Sequence, residues 1–162
     1  MPPVFTASLA AHLDKKSALT VKEAEDGEEI QNNTVYIAPG GQHLVIEKAG
    51  GVVRARIDDG PHENSCKPSA DVMFRSIPKV YGANVLNVVL TGIGADGCKG
   101  VEFQKQTGGH CITQSADTCV VYGMPKAVYE AGLSNEVLPL EEIAQRINTL
   151  VEIGVHSVGI KP

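Results

Sequence analysis

The run from Val85 to Leu90 is almost wholly apolar. It passes directly into Thr91-Gly92-Ile93-Gly94-Ala95-Asp96-Gly97, and a helical pattern begins at Cys98. An apolar run of this length suits a parallel strand covered on both faces. Glycines on either side of Asp96 let the backbone turn sharply at the strand's carboxyl end. Parallel strands need long crossovers, so this feature commits the second half of the chain to alternating strand and helix.

The residues after Gly82 agree with that requirement. A helix is expected from about Cys98 to Gln106, stopping at Gly108-Gly109, with Cys111-Ile112-Thr113 as the next strand. A second helix opens near Met124-Pro125 and ends at Gly132, followed by the short strand Glu136-Val137-Leu138. Pro139 opens a closing helix with Ile143, Ile147 and Leu150 on one face, and residues 152–162 show no clear period. The first half reads differently. Pro2-Pro3 precedes a helix to about Lys15 whose expected inward stripe is Phe5, Leu9 and Leu13. Leu19 and Val21 begin a strand that leads to the solvent-facing acidic turn Glu25-Asp26-Gly27-Glu28, and Val35 to Ala38 is a compact apolar run closed by Pro39-Gly40-Gly41. His43 to Glu47 then faces Val52 to Ile57 across a glycine turn as a hairpin. Ser69 is the expected N-cap of a helix with Asp71 in its first turn, which Pro78 should kink or shorten.

Composition narrows the function classes. The chain has 162 residues, with 14 Lys plus Arg against 19 Asp plus Glu, a net charge of −5 that argues against nucleic acid as partner. No apolar run is long enough to span a bilayer, so no membrane insertion is expected. Cys66, Cys98, Cys111 and Cys119 fall at no metal-ligand spacing and read as reduced thiols, which points to the cytoplasm with neither a metal nor a cofactor.

The glycine-rich loop supports more than one reading. Gly92-x-Gly94-x-x-Gly97, with Asp117 twenty residues further on, matches a dinucleotide fingerprint in spacing. A carboxylate at Asp96 would oppose a pyrophosphate there. Alternatively, Asp96 caps the following helix. In a third reading it orients a histidine for acyl transfer from a strand-end loop.

Lys67-Pro68-Ser69-Ala70-Asp71-Val72-Met73-Phe74, Leu90 to Gly97, and Val120-Val121-Tyr122-Gly123-Met124-Pro125 occur in this order. Together with Glu23 to Glu28 and Tyr36 to Gly40, they resemble the catalytic domain of the chemotaxis protein-glutamate methylesterases (CheB-type). The resemblance runs from Met1 to about Leu150. It implies a three-layer α/β fold with a mostly parallel doubly wound sheet and a β-hairpin insertion, lacking the family's first strands. Residues 1–151 then form a partial methylesterase domain and 152–162 a C-terminal tail.

The implied activity is hydrolysis of receptor glutamate methyl esters, and deamidation of glutamines, by a Ser-His-Asp triad. Asp96 matches the triad aspartate, and the backbone amide of Ile93 matches part of the oxyanion hole. Gly92, Gly94, Gly123, Met124 and Pro125 are expected to line the cleft. The family's serine and histidine correspond to positions before Met1, so the chain alone is expected to be inactive. Within it there is no Gly-x-Ser-x-Gly elbow; His12 reads as a surface residue, His43 and His62 have no serine motif nearby, His110 reads as a core or boundary residue and His156 belongs to the tail.

The implied partner is the cytoplasmic region of a methyl-accepting chemoreceptor. The family's regulatory receiver domain is absent from these residues. Missing strands would leave an unpaired edge open to self-association. Read as part of a longer product, the chain belongs to an active esterase; read as complete, it is a catalytically dead receptor-binding module. A nucleotide-binding α/β domain is the third reading.

Overall fold

The computed structural model of the chain describes residues 2–157. The chain divides into two compact units, Met1–Gly82 and Ala83–Pro162. The division falls at the residue where the sequence changes to alternating strand and helix.

In the first unit, α1 (Pro3–Asp14) leads to β1 (Thr20–Glu23) and β2 (Thr34–Ile37), which pair in parallel. The hairpin strands β3 (His43–Ala49) and β4 (Val52–Asp58) follow, joined by Gly50-Gly51, both at positive φ. Two consecutive positive φ angles are what a two-residue hairpin turn demands, which explains the paired glycines. Two short helices complete this unit, α2 (Ala70–Ser76) and α3 (Pro78–Tyr81). Pro78 has no N–H to continue α2, so the helix breaks there as expected. Ala24, Leu44 and Ala55 form the core, with Ile30, Tyr36, Ile46, Ile57 and Met73 packed against it.

The inward face of α1 differs from the sequence expectation. Phe5 is 64% exposed and Leu9 and Leu13 are exposed as well, while Thr6 and Ala10 are buried. The Thr6 hydroxyl donates to Pro3 O (2.9 Å) and accepts the Gly40 N–H (2.9 Å). Two short side chains let the helix backbone approach that loop, and this polar contact outranks the apolar stripe. The acidic turn exposes Glu25 and Asp26 as expected, while Glu28 is half-buried. Lys22 bridges Glu25 and Glu28, and Asp26 accepts from Arg56 and from the Ile57 N–H.

The second unit is a three-stranded parallel sheet in the order β5 (Leu86–Val89), β6 (His110–Gln114), β7 (Glu136–Leu138). Central β6 is buried on both faces from Cys111 onward, whereas β5 alternates and Leu90 is exposed. The expectation of full coverage therefore fits β6 better than β5. Among the described residues, β5 pairs with a strand on one edge only.

Crossovers run through α4 (Cys98–Gln106) and α5 (Met124–Glu130). Both helices end in paired reverse bonds around a glycine at positive φ. Gly108 N–H and Gly109 N–H return to Lys105 O and Gln104 O, and Gly132 N–H and Leu133 N–H return to Tyr129 O and Val128 O. The last helix, α6 (Leu140–Ser157), extends into the segment read from sequence as a tail. An established helix adds residues at little cost, so loss of apolar periodicity did not end it. The remainder of that segment lies outside the described residues.

Bidentate Arg146 and the His110 ring both hold the Glu136 carboxylate, at 2.7–2.9 Å, tying α6 to the amino-terminal end of the sheet. The Arg146 guanidinium, assisted by His110, holds the Glu136 carboxyl below the usual carboxylate range.

Candidate active site

The opposite, carboxyl-terminal rim of the second unit carries the glycine-rich loop. β5 leaves β6 after Val89, whose partner is Thr113, and takes a new neighbour: Gly92 bridges Tyr122 in parallel. The Gly92 N–H donates to Val121 O (3.0 Å). Gly92 O accepts from Gly123 N–H (3.1 Å) and Met124 N–H (2.9 Å), the start of α5. The Thr91 hydroxyl accepts from Val121 N–H (2.9 Å) and donates to Val121 O (3.1 Å). The Asp96 loop and the 119–124 segment are thus held as one backbone assembly.

This approach explains two of the glycines. A Cβ on Gly123 would lie 2.5 Å from Gly92 O and 2.9 Å from Gly94 N, both backbone atoms. One on Gly92 would meet the Met124 sulfur at 2.4 Å. Gly94 and Gly97 have φ of +85° and +93°, a region that disfavours side chains. Between them Asp96 is buried, at 6% exposure, immediately before α4. The Ile93 side chain projects outward at 81% exposure, and its N–H meets no acceptor among the described residues. That free donor beside the loop is the kind of group able to stabilise a developing oxyanion.

The structure brings Gly92, Gly94, Gly123 and Met124 together. Pro125, expected to line the cleft, is instead fully buried in the first turn of α5, where its ring packs away from solvent. Asp117 stands exposed in a 3₁₀ turn over Ala116–Thr118.

Two of the histidines are committed to other bonds. His43, 1% exposed, accepts the Ser69 N–H at Nδ1 (3.1 Å), so its Nε2–H donates to Pro61 O (2.9 Å). His110 is bonded to Glu136. His12 and His62 are exposed, and the His156 side chain lies outside the described residues. Among the described residues no group of three His, Cys, Asp or Glu side chains could hold a metal ion, and no helix is long and apolar enough to cross a membrane.

Sequence reading missed Gln114, fully buried at the end of β6 and bonded to both Thr91 and Thr118. The available signal was a polar residue closing an apolar strand, Cys111-Ile112-Thr113-Gln114, next to the loop.

A parallel α/β unit with a buried acid on a strand-end glycine loop defines the class of enzymes that place their chemistry at the carboxyl edge of the sheet. Residues 1–147 match the family described as CheB methylesterase, and the chain belongs to that family. A protein-glutamate methylesterase/protein-glutamine glutaminase of Desulfotalea psychrophila is 51% identical over 99% of this chain and 43% of its own length. Another of that name from Archaeoglobus fulgidus is 45% identical over 96% of this chain and 45% of its own length. The chain therefore spans less than half the length of these curated relatives. The crystal structure of the Thermotoga maritima CheB methylesterase catalytic domain superposes with a TM-score of 0.89 and 44% identity. That match covers 93% of this chain and 79% of the Thermotoga chain. These findings give no support to the dinucleotide-binding or dead-module readings.

Proposed function

We propose that the chain is part of a protein-glutamate methylesterase and protein-glutamine glutaminase in which Asp96 is the orienting carboxylate of a Ser-His-Asp triad. The observation that carries this reading is the burial of Asp96 in a loop braced by Gly92 and Gly123, in a chain half identical to an enzyme of that name. In such a triad the carboxylate fixes the histidine tautomer and stabilises the imidazolium formed as the serine attacks. The serine oxygen forms a bond to the ester carbonyl carbon and methanol leaves with the proton the histidine returns. Water then cleaves the acyl-enzyme to give glutamate, and with glutamine the first leaving group is ammonia. The Ile93 amide is suited to hold the oxyanion in both steps.

The substrate on this reading is the cytoplasmic region of a methylated chemoreceptor, met in the cytoplasm. Asp96→Asn in the intact protein tests the assignment. Methanol release from methylated receptor should fall by about four orders of magnitude with the fold unchanged by circular dichroism. Unaltered release would remove Asp96 from the triad.

A further inference from the structure

The geometry points to Gln114 as a positioning residue that pins the Asp96 loop to the sheet. This role rests on the reading of Asp96 given above. Gln114 ends central β6, and its side chain is 0% exposed. Its Oε1 accepts the Thr91 N–H at 2.8 Å, and its Nε2 donates to Thr118 O (2.8 Å) and Thr118 Oγ1 (3.2 Å). The orientation of the amide is fixed, because a backbone N–H can only donate and a backbone carbonyl can only accept.

The position explains why an amide is needed. The β5–β6 ladder ends at Val89 and Thr113, and the Gln114 backbone lies in register with Leu138 of β7. From Thr91 onward the chain that leaves β5 bonds to Val121 instead. The Thr91 N–H falls in the gap where one set of bonds has stopped and the other has only begun. With the ladder ended on one side, that N–H meets no backbone acceptor and pairs with a side chain instead. Gln114 supplies that acceptor, and its other end holds the turn preceding the 119–124 segment. One residue thus anchors both segments of the rim, the first of them at Thr91, five positions before Asp96. A glutamine that only satisfied the core would need no connection to both.

Gln114→Met in the intact protein removes both ends at similar length. Amide exchange by NMR should quicken about tenfold at Thr91–Gly94 and at residues 118–123 and stay unchanged at Ile112 and Thr113, since loss of one bond opens only what it holds. With a methyl-esterified glutamyl peptide, kcat should fall tenfold to a hundredfold with KM within twofold, the pattern of a misplaced catalytic group. Thr118→Val removes one of the acceptors of the Gln114 amide and should produce the same split more weakly, and Thr118→Ser should restore it. This half-buried position also keeps the test available if Gln114→Met does not fold. Uniform acceleration across β5, β6 and β7, or unchanged exchange at Thr91, overturns the positioning role. An intact protein that releases no methanol overturns the function reading instead, while the exchange pattern still decides whether Gln114 pins the loop.

Discussion

Replacing Gly123 with alanine tests how the rim is assembled. Gly123 has φ −109° and ψ −71°, where alanine carries no left-handed strain. An ordinary Gly→Ala change at such a residue stabilises by about 0.4–1 kcal/mol, by restricting the unfolded chain. Here the new methyl carbon would sit 2.5 Å from Gly92 O, roughly 0.9 Å inside the 3.4 Å where ordinary contact begins. Neither Gly92 O nor Gly94 N can swing aside, so the two segments must separate. Overpacking of this kind costs about 1–3 kcal/mol. Separation also weakens the bonds from Gly123 and Met124 to Gly92 O, each contributing about 0.5–1.5 kcal/mol. The expected net loss is about 2–5 kcal/mol, opposite in sign to the default.

Gly92→Ala is the discriminating control. Its clash is nominally closer, at 2.4 Å, but falls on the Met124 sulfur, which can change rotamer. That costs only about 0.5–1.5 kcal/mol. Native-state hydrogen exchange across β5 to β7 reads the opening free energy of this unit directly. If Gly123→Ala is as well protected as the parent, or if Gly92→Ala is the worse of the two, the reasoning from backbone contact fails.

Three further outcomes are expected. Because Arg146, aided by His110, lowers the Glu136 carboxyl, this pairing contributes stability above the unfolded glutamate value of about 4.3. The contribution is lost as pH falls through the lower folded value. Arg146→Met should therefore reduce the urea midpoint at pH 7 more than at pH 3, and an equal loss at both would contradict it. His43→Leu strands the Ser69 N–H and the Pro61 carbonyl and should cost the first unit about 2–4 kcal/mol, read by exchange in β3. Burial pushes the Cys111 thiol up to about 11, so at pH 8 only about one molecule in a thousand carries thiolate. Cys111 should be the last of the four cysteines alkylated by iodoacetamide under native conditions, as read by peptide mass spectrometry.

Local chemistry was legible in the residues themselves. Gly108 and Gly132 end their helices because the reverse bonds there require positive φ, and Gly50-Gly51 turns the hairpin for the same reason. The apolar run before Thr91 and the glycines around Asp96 likewise announced a strand-end loop with an acid at its tip. Such features depend on neighbours in sequence, and a single chain displays them.

Tertiary structure decided which face of a helix turns inward and which polar group answers an orphaned backbone donor. The apolar spacing of Phe5, Leu9 and Leu13 predicted burial, yet α1 packs through Thr6 because Gly40, 34 residues away, needs an acceptor. Gln114 is unremarkable in sequence and becomes a clamp only where β5 parts from β6 and its Thr91 N–H meets the amide across 23 residues. Gly123 looks like an ordinary helix start until Gly92 O is found 2.5 Å from where its Cβ would stand. In each case the deciding partner is far along the chain and close in space, a relation that spacing and periodicity do not encode.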